Sequence, residues 1–159
     1  MGIKIQENLK ELYEKDFVEW VDKNIELLKN KEYSLVDWEN LLEEIQDMGN
    51  RHLEAVISYL AIILEHMYKL DNFKKDEKAG RGWIKSILNS RDRINVLFKR
   101  YPSLKSKLPN HLQEAWEDAT LNTVVWLRDN DLNPDNFNIP KECPYTYEEA
   151  MNKPFKLFD

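Results

Sequence analysis

The stretch HLEAVISYLAIILEHMYKL, residues 52–70, decides the fold. Its apolar side chains recur every three or four residues, which is the spacing of an α-helix and not of a strand. The main stripe consists of Leu53, Val56, Ile57, Leu60, Ile63, Leu64 and Met67. Tyr59, Ile62 and Tyr68 make much of the remaining circumference apolar. Because a helix that is apolar on most sides is surrounded by neighbours, we predict a central helix over residues 50–71.

The same spacing predicts helices on both sides of the central one. We expect them over residues 16–30, 38–48, 83–100 and 110–130, with a further turn or two of helix around Leu9, Leu12 and Tyr13. Asp16 before Glu19 and Ser34 before Asp37 have the spacing of capping boxes, which begin helices.

Glycine and proline predict where the helices end. Gly49 and Asn50 are good stop residues, so we expect a break or a bend between the second and the central helix. Gly80 and Gly82 lie in a lysine-rich segment that we expect to be a loop. Pro102 ends the next helix, because a proline keeps the preceding residue out of the α region.

The amino-acid composition changes after Asp131. Four of the six prolines lie in residues 132–159, together with five aromatic residues: Phe137, Tyr145, Tyr147, Phe155 and Phe158. Thr146 and Glu149 have capping-box spacing and predict one short helix there. We predict an all-α, up-and-down bundle of four to five helices with a proline- and aromatic-rich C-terminal tail packed on it. The expected organisation is a single helical domain over 1–159, with the bundle at about 10–130 and the docked tail at 131–159.

The composition fits a globular chain and excludes several classes. The 159 residues are 42 % hydrophobic and 33 % charged, and 159 residues is the length of one domain. A lone Cys143 excludes an internal disulfide. The longest apolar run, Tyr59–Leu64, is far shorter than a membrane span, and the first residues lack the apolar region of a signal peptide. We expect a cytoplasmic protein without a membrane partner.

The net charge of −6 hides a strong segregation along the chain. Residues 1–73 carry a net charge of −8, residues 74–107 of +8 and residues 108–159 of −6. A basic segment between acidic ones indicates either internal pairing or a site for a polyanion. The candidate polyanion patch consists of Lys74, Lys75, Lys78, Arg81, Lys85, Arg93, Lys99 and Arg100.

Sequence motifs of catalysis and cofactor binding are absent. No histidine follows a glutamate at i+3, so the di-iron carboxylate motif of helical bundles is missing. The Gly80-Arg81-Gly82 segment lacks the strand and the Gly-Lys-Ser/Thr end of a phosphate loop. No Gly-x-Ser-x-Gly motif is present either. We therefore predict no catalytic residue, metal ligand or cofactor, and lean towards a protein that is not an enzyme.

Polar side chains on apolar helix faces are the remaining candidates for a site. Arg91 interrupts the buried stripe of its helix, and a buried arginine needs a partner because an unpaired buried charge costs several kcal/mol. Glu44 borders another stripe and is the expected partner, with His66 joining by a hydrogen bond. Such a network either fixes the register of the helices or lines a pocket for a metal or a small ligand.

Six segments in order resemble the bacterial family called domain of unknown function 29. They are Leu12–Trp20, Leu41–Gly49, Leu64–Lys69, Trp83 with Arg91, Tyr101–Leu104, and Ile139–Glu149. Leu70-Asp71 departs from the family, which commonly has a tryptophan after the lysine. The resemblance covers residues 10–157 and implies a compact helical domain of bacteria, cyanobacteria prominently among them, without implying an activity. It adds Trp83 to Glu44, His66 and Arg91 as a candidate network or ligand site.

Three functions stay open at this point. The first is a non-catalytic module that binds another protein or a second copy of this chain. The second is nucleic-acid binding through the basic segment 74–107. The third is a metal or small-ligand site around Glu44, His66 and Arg91.

Overall fold

A computed structural model describes the backbone of residues 2–158 and the side chains of residues 8–158. The regular elements of this part of the chain are all helical, which confirms the prediction of an all-α bundle. The α-helices are α1 (Gly2–Lys15), α2 (Phe17–Lys29), α3 (Trp38–Asn72), α4 (Glu77–Arg100), α5 (Leu104–Lys107), α6 (Leu112–Asp129) and α7 (Tyr147–Asn152). Short 3-10 turns lie at Tyr33–Leu35, Leu108–His111 and Pro134–Asn136.

The chain forms two compact units, residues 1–50 and residues 51–159, and their boundary falls within α3. In the first unit α1 packs against α2. Asp16 separates these helices and caps α2, since its carboxylate accepts a hydrogen bond from the backbone N–H of Glu19 at 3.1 Å. Leu9, Trp20 and Val36 are the buried apolar side chains of this unit.

The second unit has a continuous apolar core around the C-terminal half of α3. Leu60, Ile63 and Leu64 are completely buried, as the stripe of residues 52–70 predicts. The other buried members come from every helix of the unit: Val56, Ile57, Ala61, Met67, Tyr68, Ile87, Ile94, Leu104, Leu108, Ala115, Trp116, Ala119 and Ala150.

The C-terminal tail packs on the helices of the second unit, as predicted. The indole N–H of Trp116 donates to the carbonyl of Pro140 at 2.9 Å. The Tyr145 hydroxyl donates to Asp71 at 2.6 Å. Thr146 and Glu149 form the predicted capping box at the start of α7. The extended tail is therefore held by polar contacts as well as by its aromatic rings.

Two predicted helix boundaries differ in the structure. α3 continues through Gly49 and Asn50 without a break, and Gly49 does not adopt the positive φ of a helix stop. α4 begins at Glu77 and not at residue 83, so Gly80 and Gly82 are helical. The carboxylate of Asp76 accepts the backbone N–H of Ala79 at 2.8 Å and caps this earlier start.

The first half of α3 agrees with the prediction in its start but not in its packing. The helix begins at Trp38 as expected, although a 3-10 turn at Tyr33–Leu35 separates it from Ser34, the residue with capping-box spacing. The expected inward stripe of this helix is largely exposed: Trp38 is 44 %, Leu42 60 %, Ile45 54 % and Met48 64 % exposed. Helical periodicity identifies an apolar face but not the presence of a neighbour to cover it, and the first unit leaves this face open.

Candidate functional site

A buried hydrogen-bond network lies at the centre of the first unit. The indole N–H of Trp20 donates to Asp37 Oδ2 at 2.9 Å, and the backbone N–H of Asp37 donates to Asn24 Oδ1 at 3.0 Å. Asn24 donates in turn to the carbonyl of Trp20, and Asn40 donates to Asp37 Oδ2, both at 2.8 Å. Because every member has a partner, the network fixes the segment before α3 rather than offering free groups to a ligand.

Glu44, one of the predicted site residues, lies in this first unit and accepts a hydrogen bond from the Tyr13 hydroxyl. This hydrogen bond to the carboxylate is the largest cause that raises the pKa of Tyr13 to about 12. The partner of Glu44 is thus the phenol of Tyr13 on α1.

An exposed apolar stripe runs along the N-terminal half of α3, and we call it the α3 face: Trp38, Leu42, Ile45 and Met48. At about 100° per residue these four side chains lie within an arc of about 120°. Glu39 and Glu44 border the arc on its two sides, whereas Glu43 and Asp47 lie on the opposite side of the helix. Residues 38–50 contain no lysine or arginine, and Glu39 pairs with Lys10 of α1 at 3.3 Å.

Arg91 lies in the second unit and holds the tail. Its guanidinium donates to the carbonyls of Ala150 at 2.8 Å, Lys153 at 2.8 Å and Glu149 at 3.1 Å. It also lies 5.3 Å from the ring centroid of Phe155. These carbonyls belong to the C-terminal end of α7, where a cation is favourable. Arg91 thus caps the last helix through backbone carbonyls, and burial lowers the pKa of Arg91.

His66 is part of a chain of polar groups on α3. Its Nδ1 lies 2.7 Å from the carbonyl of Ile62, an arrangement in which the ring donates. Glu65 Oε2 is 3.8 Å from the same nitrogen and 2.7 Å from Nζ of Lys69. Burial is the largest cause that lowers the pKa of His66, and the Lys69 charge also lowers it. The Glu65–Lys69 pair was not predicted, although its i, i+4 spacing on an apolar helix is a signal of such a pair.

Trp83 belongs to an aromatic cluster that also contains Phe73, Trp126 and Phe137. Trp83 and Trp126 meet edge to face at 5.9 Å between centroids, and Phe73 contacts Trp126 at 5.4 Å and Phe137 at 5.2 Å. The Lys69 ammonium lies 4.7 Å from the Trp126 ring centroid. A pocket of about 260 Å³ opens beside these rings.

Each of the four predicted residues has a partner within its own unit. Glu44 contacts Tyr13, His66 contacts Ile62, Trp83 contacts Trp126, and Arg91 contacts the tail. Over residues 8–158, no group of three or more His, Cys, Asp or Glu side chains is placed to hold a metal ion. No helix of the described chain is long and apolar enough to span a membrane.

The basic patch is exposed along its whole length. Six of its members are on α4, and at about 100° per residue they lie within an arc of about 120°. This arc is opposite the buried side chains of Ile87 and Ile94. We call it the α4 basic face: Lys78, Arg81, Lys85, Arg93, Lys99 and Arg100.

Comparison with known families identifies the chain. Residues 12–156 match the family described as Domain of unknown function DUF29. The chain belongs to this family. No curated protein and no solved structure matches the DUF29 chain. Its functional interpretation therefore depends on the geometry of its own residues.

Proposed function

We propose that this DUF29 chain is a non-catalytic protein-interaction module, and that its α3 face binds a basic amphipathic helix of a partner protein. The exposure of four large apolar side chains at helical spacing carries the proposal. A contiguous apolar patch with a polar rim is typical of a protein interaction site.

The geometry of the α3 face favours a helical partner. Its residues follow i, i+4, i+7 and i+10 spacing, which is the pattern by which two helices pack along one another. Full burial of a Leu, Ile or Met side chain contributes about 1.5–3 kcal/mol, so a few such residues dominate the binding energy. An extended strand has no matching periodicity and is disfavoured.

The charge around the α3 face favours a basic partner. The carboxylates of Glu39 and Glu44 border it on its two sides, Glu43 and Asp47 add negative charge to the same helix, and no basic residue lies within residues 38–50. Lys and Arg side chains on both sides of a partner's apolar stripe would meet these carboxylates and increase the rate of association. A second copy of this chain would instead bring acidic borders together, which costs free energy.

A peptide titration tests the proposal. The probe is a fluorescein-labelled 18-residue helix with leucines on one face and lysines on the flanks, and its binding is followed by anisotropy. We expect binding that the Leu42→Ser/Ile45→Ser variant weakens at least tenfold. The matched control is Leu121→Ser/Val125→Ser, since Leu121 and Val125 are exposed to a similar degree on α6.

Three outcomes would contradict the proposal. One is an equal effect of both double variants, which would mean non-specific hydrophobic adsorption. Another is equal binding of a scrambled peptide with the same composition but no apolar face. The third is a dimer in analytical ultracentrifugation that Leu42→Ser/Ile45→Ser dissociates, which would assign the face to a second copy of the chain.

A further inference from the structure

We propose that the aromatic pocket at the start of α4 binds a nucleobase, with the attached phosphate held by basic side chains of α4. The ligand class is therefore a nucleotide, either free or within a single strand of nucleic acid. This site lies in the second unit and is independent of the α3 face.

The walls of the pocket are suited to a flat ring. Phe73, Trp83 and Trp126 line it together with the apolar side chains of Ala79 and Leu132. Both tryptophans are only partly buried, so ring surface is accessible to a ligand. Stacking on such rings is a sequence-tolerant mode of base recognition, because every base presents a π face. Asn130 also lines the pocket and carries an amide that can hydrogen-bond a base edge.

The volume of the pocket fits one base. A cavity of roughly 150 Å³ accommodates a benzene ring. The 260 Å³ available here is therefore large enough for a one- or two-ring base.

The charges at the rim favour an anion. Lys75 lines the pocket and has no ion-pair partner among the described residues. Asp76 also lines the pocket, and its carboxylate accepts the backbone N–H of Ala79 as the cap of α4, while Glu77 pairs with Lys74 at 2.9 Å. An aromatic pocket also attracts organic cations, but the Lys69 ammonium, which pairs with Glu65 at 2.7 Å, already lies over Trp126, and Lys75 adds a positive charge at the rim.

The α4 basic face extends the rim along the helix. Lys78, in the first turn of α4, is adjacent in sequence to Ala79 of the pocket wall. Lys78, Arg81 and Lys85 lie on consecutive turns of one side of the helix. A basic track beside an aromatic stacking platform is the arrangement by which proteins hold single strands.

Isothermal titration calorimetry of the full chain with AMP, UMP and adenosine tests the pocket, and a single-stranded decanucleotide tests the track. We expect both nucleotides to bind and adenosine to bind at least fivefold more weakly than AMP. Trp83→Leu is expected to weaken AMP binding about tenfold, which is the usual effect of losing one stacking platform. Lys75→Glu is expected to weaken it as well, because it reverses the charge that faces the phosphate. A decanucleotide that binds at least tenfold more tightly than AMP, with a steep salt dependence, identifies a single strand as the ligand. Equal affinities identify the free nucleotide.

Matched controls distinguish a loss of AMP affinity that is specific to the pocket from one caused by a change of net charge or by unfolding. Lys107→Glu makes the same charge change within the basic segment but outside the pocket, and Trp38→Leu removes an exposed tryptophan of the first unit. Both are expected to bind AMP like the parent chain, and circular dichroism checks that every variant is folded. The proposal is overturned if no nucleotide or oligonucleotide binds at millimolar concentration. It is also overturned if Lys75→Glu and Lys107→Glu weaken binding equally, or if tetramethylammonium binds more tightly than AMP.

Discussion

Nε of Arg91 donates a hydrogen bond at 2.8 Å to the carbonyl oxygen of Ala150, a residue 59 positions later in the chain. Two more donors of the same guanidinium engage the carbonyls of Lys153 and Glu149. One buried side chain of α4 thus caps the end of α7, where the last carbonyls of a helix lack intrahelical partners, and the Glu149 carbonyl also accepts the backbone N–H of Lys153 at 3.0 Å. Arg91 is therefore a positioning residue for the C-terminal tail.

Replacing Arg91 by alanine is expected to release the tail. A hydrogen bond to a charged group contributes about 1.5–3 kcal/mol to stability. The total loss is smaller than the sum of three such bonds, because water partly replaces the guanidinium at the carbonyls. We therefore expect the free energy of unfolding to fall by about 2–4 kcal/mol, measured by urea denaturation. Limited proteolysis is expected to cut first within residues 131–159.

The control for this prediction is Arg93→Ala, because Arg93 is on the same helix and its side chain is exposed. Surface substitutions of this kind usually change the stability by less than about 0.5 kcal/mol. If Arg91→Ala were as stable and as protease-resistant as Arg93→Ala, the tail would not depend on this contact.

Trp20→Phe is expected to destabilise the first unit by about 1–3 kcal/mol, because it leaves the buried Asp37 carboxylate without its indole donor. The matched substitution is Trp38→Phe. The Trp38 indole also donates to a carbonyl, that of Tyr33 at 2.7 Å, but this side chain is 44 % exposed and water can replace the donor. Chemical denaturation of both variants measures the difference, and equal losses would mean that the buried network adds nothing to stability.

The sequence predicted most of the fold because the helices are strongly periodic. The stripe from Leu53 to Met67 is buried as its spacing requires, and the caps at Asp16 and Thr146 form as their motifs predict. The ends of α2 and α6 were predicted to within one residue, although Lys31 and Asp131, with φ of 59° and 58°, follow them in the left-handed conformation that glycine usually takes. A boundary failed where the backbone did not follow the preference of a residue. Gly49, which signalled a stop, is helical.

The candidate site was less predictable, because it depends on which long-range partner a side chain meets. Burial of Arg91 was predicted correctly, but its partners are backbone carbonyls of the tail, and a carbonyl has no sequence signature. Trp83 was identified through the family resemblance, whereas its neighbours Phe73 and Trp126 come from separate helix ends. Helical periodicity concerns one helix at a time, so it does not predict which ends of different helices are neighbours in the fold.

Gly49→Ala is expected to stabilise the protein by about 0.5–1 kcal/mol, since glycine in a helix interior costs about this much relative to alanine. A Cβ at this position would have no atom within 4 Å, so no strain opposes the gain. The contrasting variant is Gly80→Ala, whose Cβ would lie 3.0 Å from Cε of Lys74, and its gain is expected to be smaller. Thermal and urea unfolding measure both. A destabilised Gly49→Ala would show that α3 is not continuous at this point.

The last prediction concerns acid stability and His66. Its pKa in the folded chain is lowered, mainly by burial, below the value of about 6.5 that the unfolded chain has. Between these two pKa values the unfolded chain binds more protons at this residue than the folded chain does. Protonation therefore favours unfolding, and the contribution of His66 to stability is lost as the pH falls below about 6.5.

His66→Gln, which has no proton to gain, is expected to reduce the slope of unfolding free energy against pH over about pH 5–7. His111→Gln is the control, because His111 is more exposed and pairs with Glu114 at 2.8 Å outside the core. Urea denaturation at half-unit pH steps gives both slopes. If His66→Gln kept the parent slope while His111→Gln lost it, the acid sensitivity would arise from the surface pair and not from the buried ring.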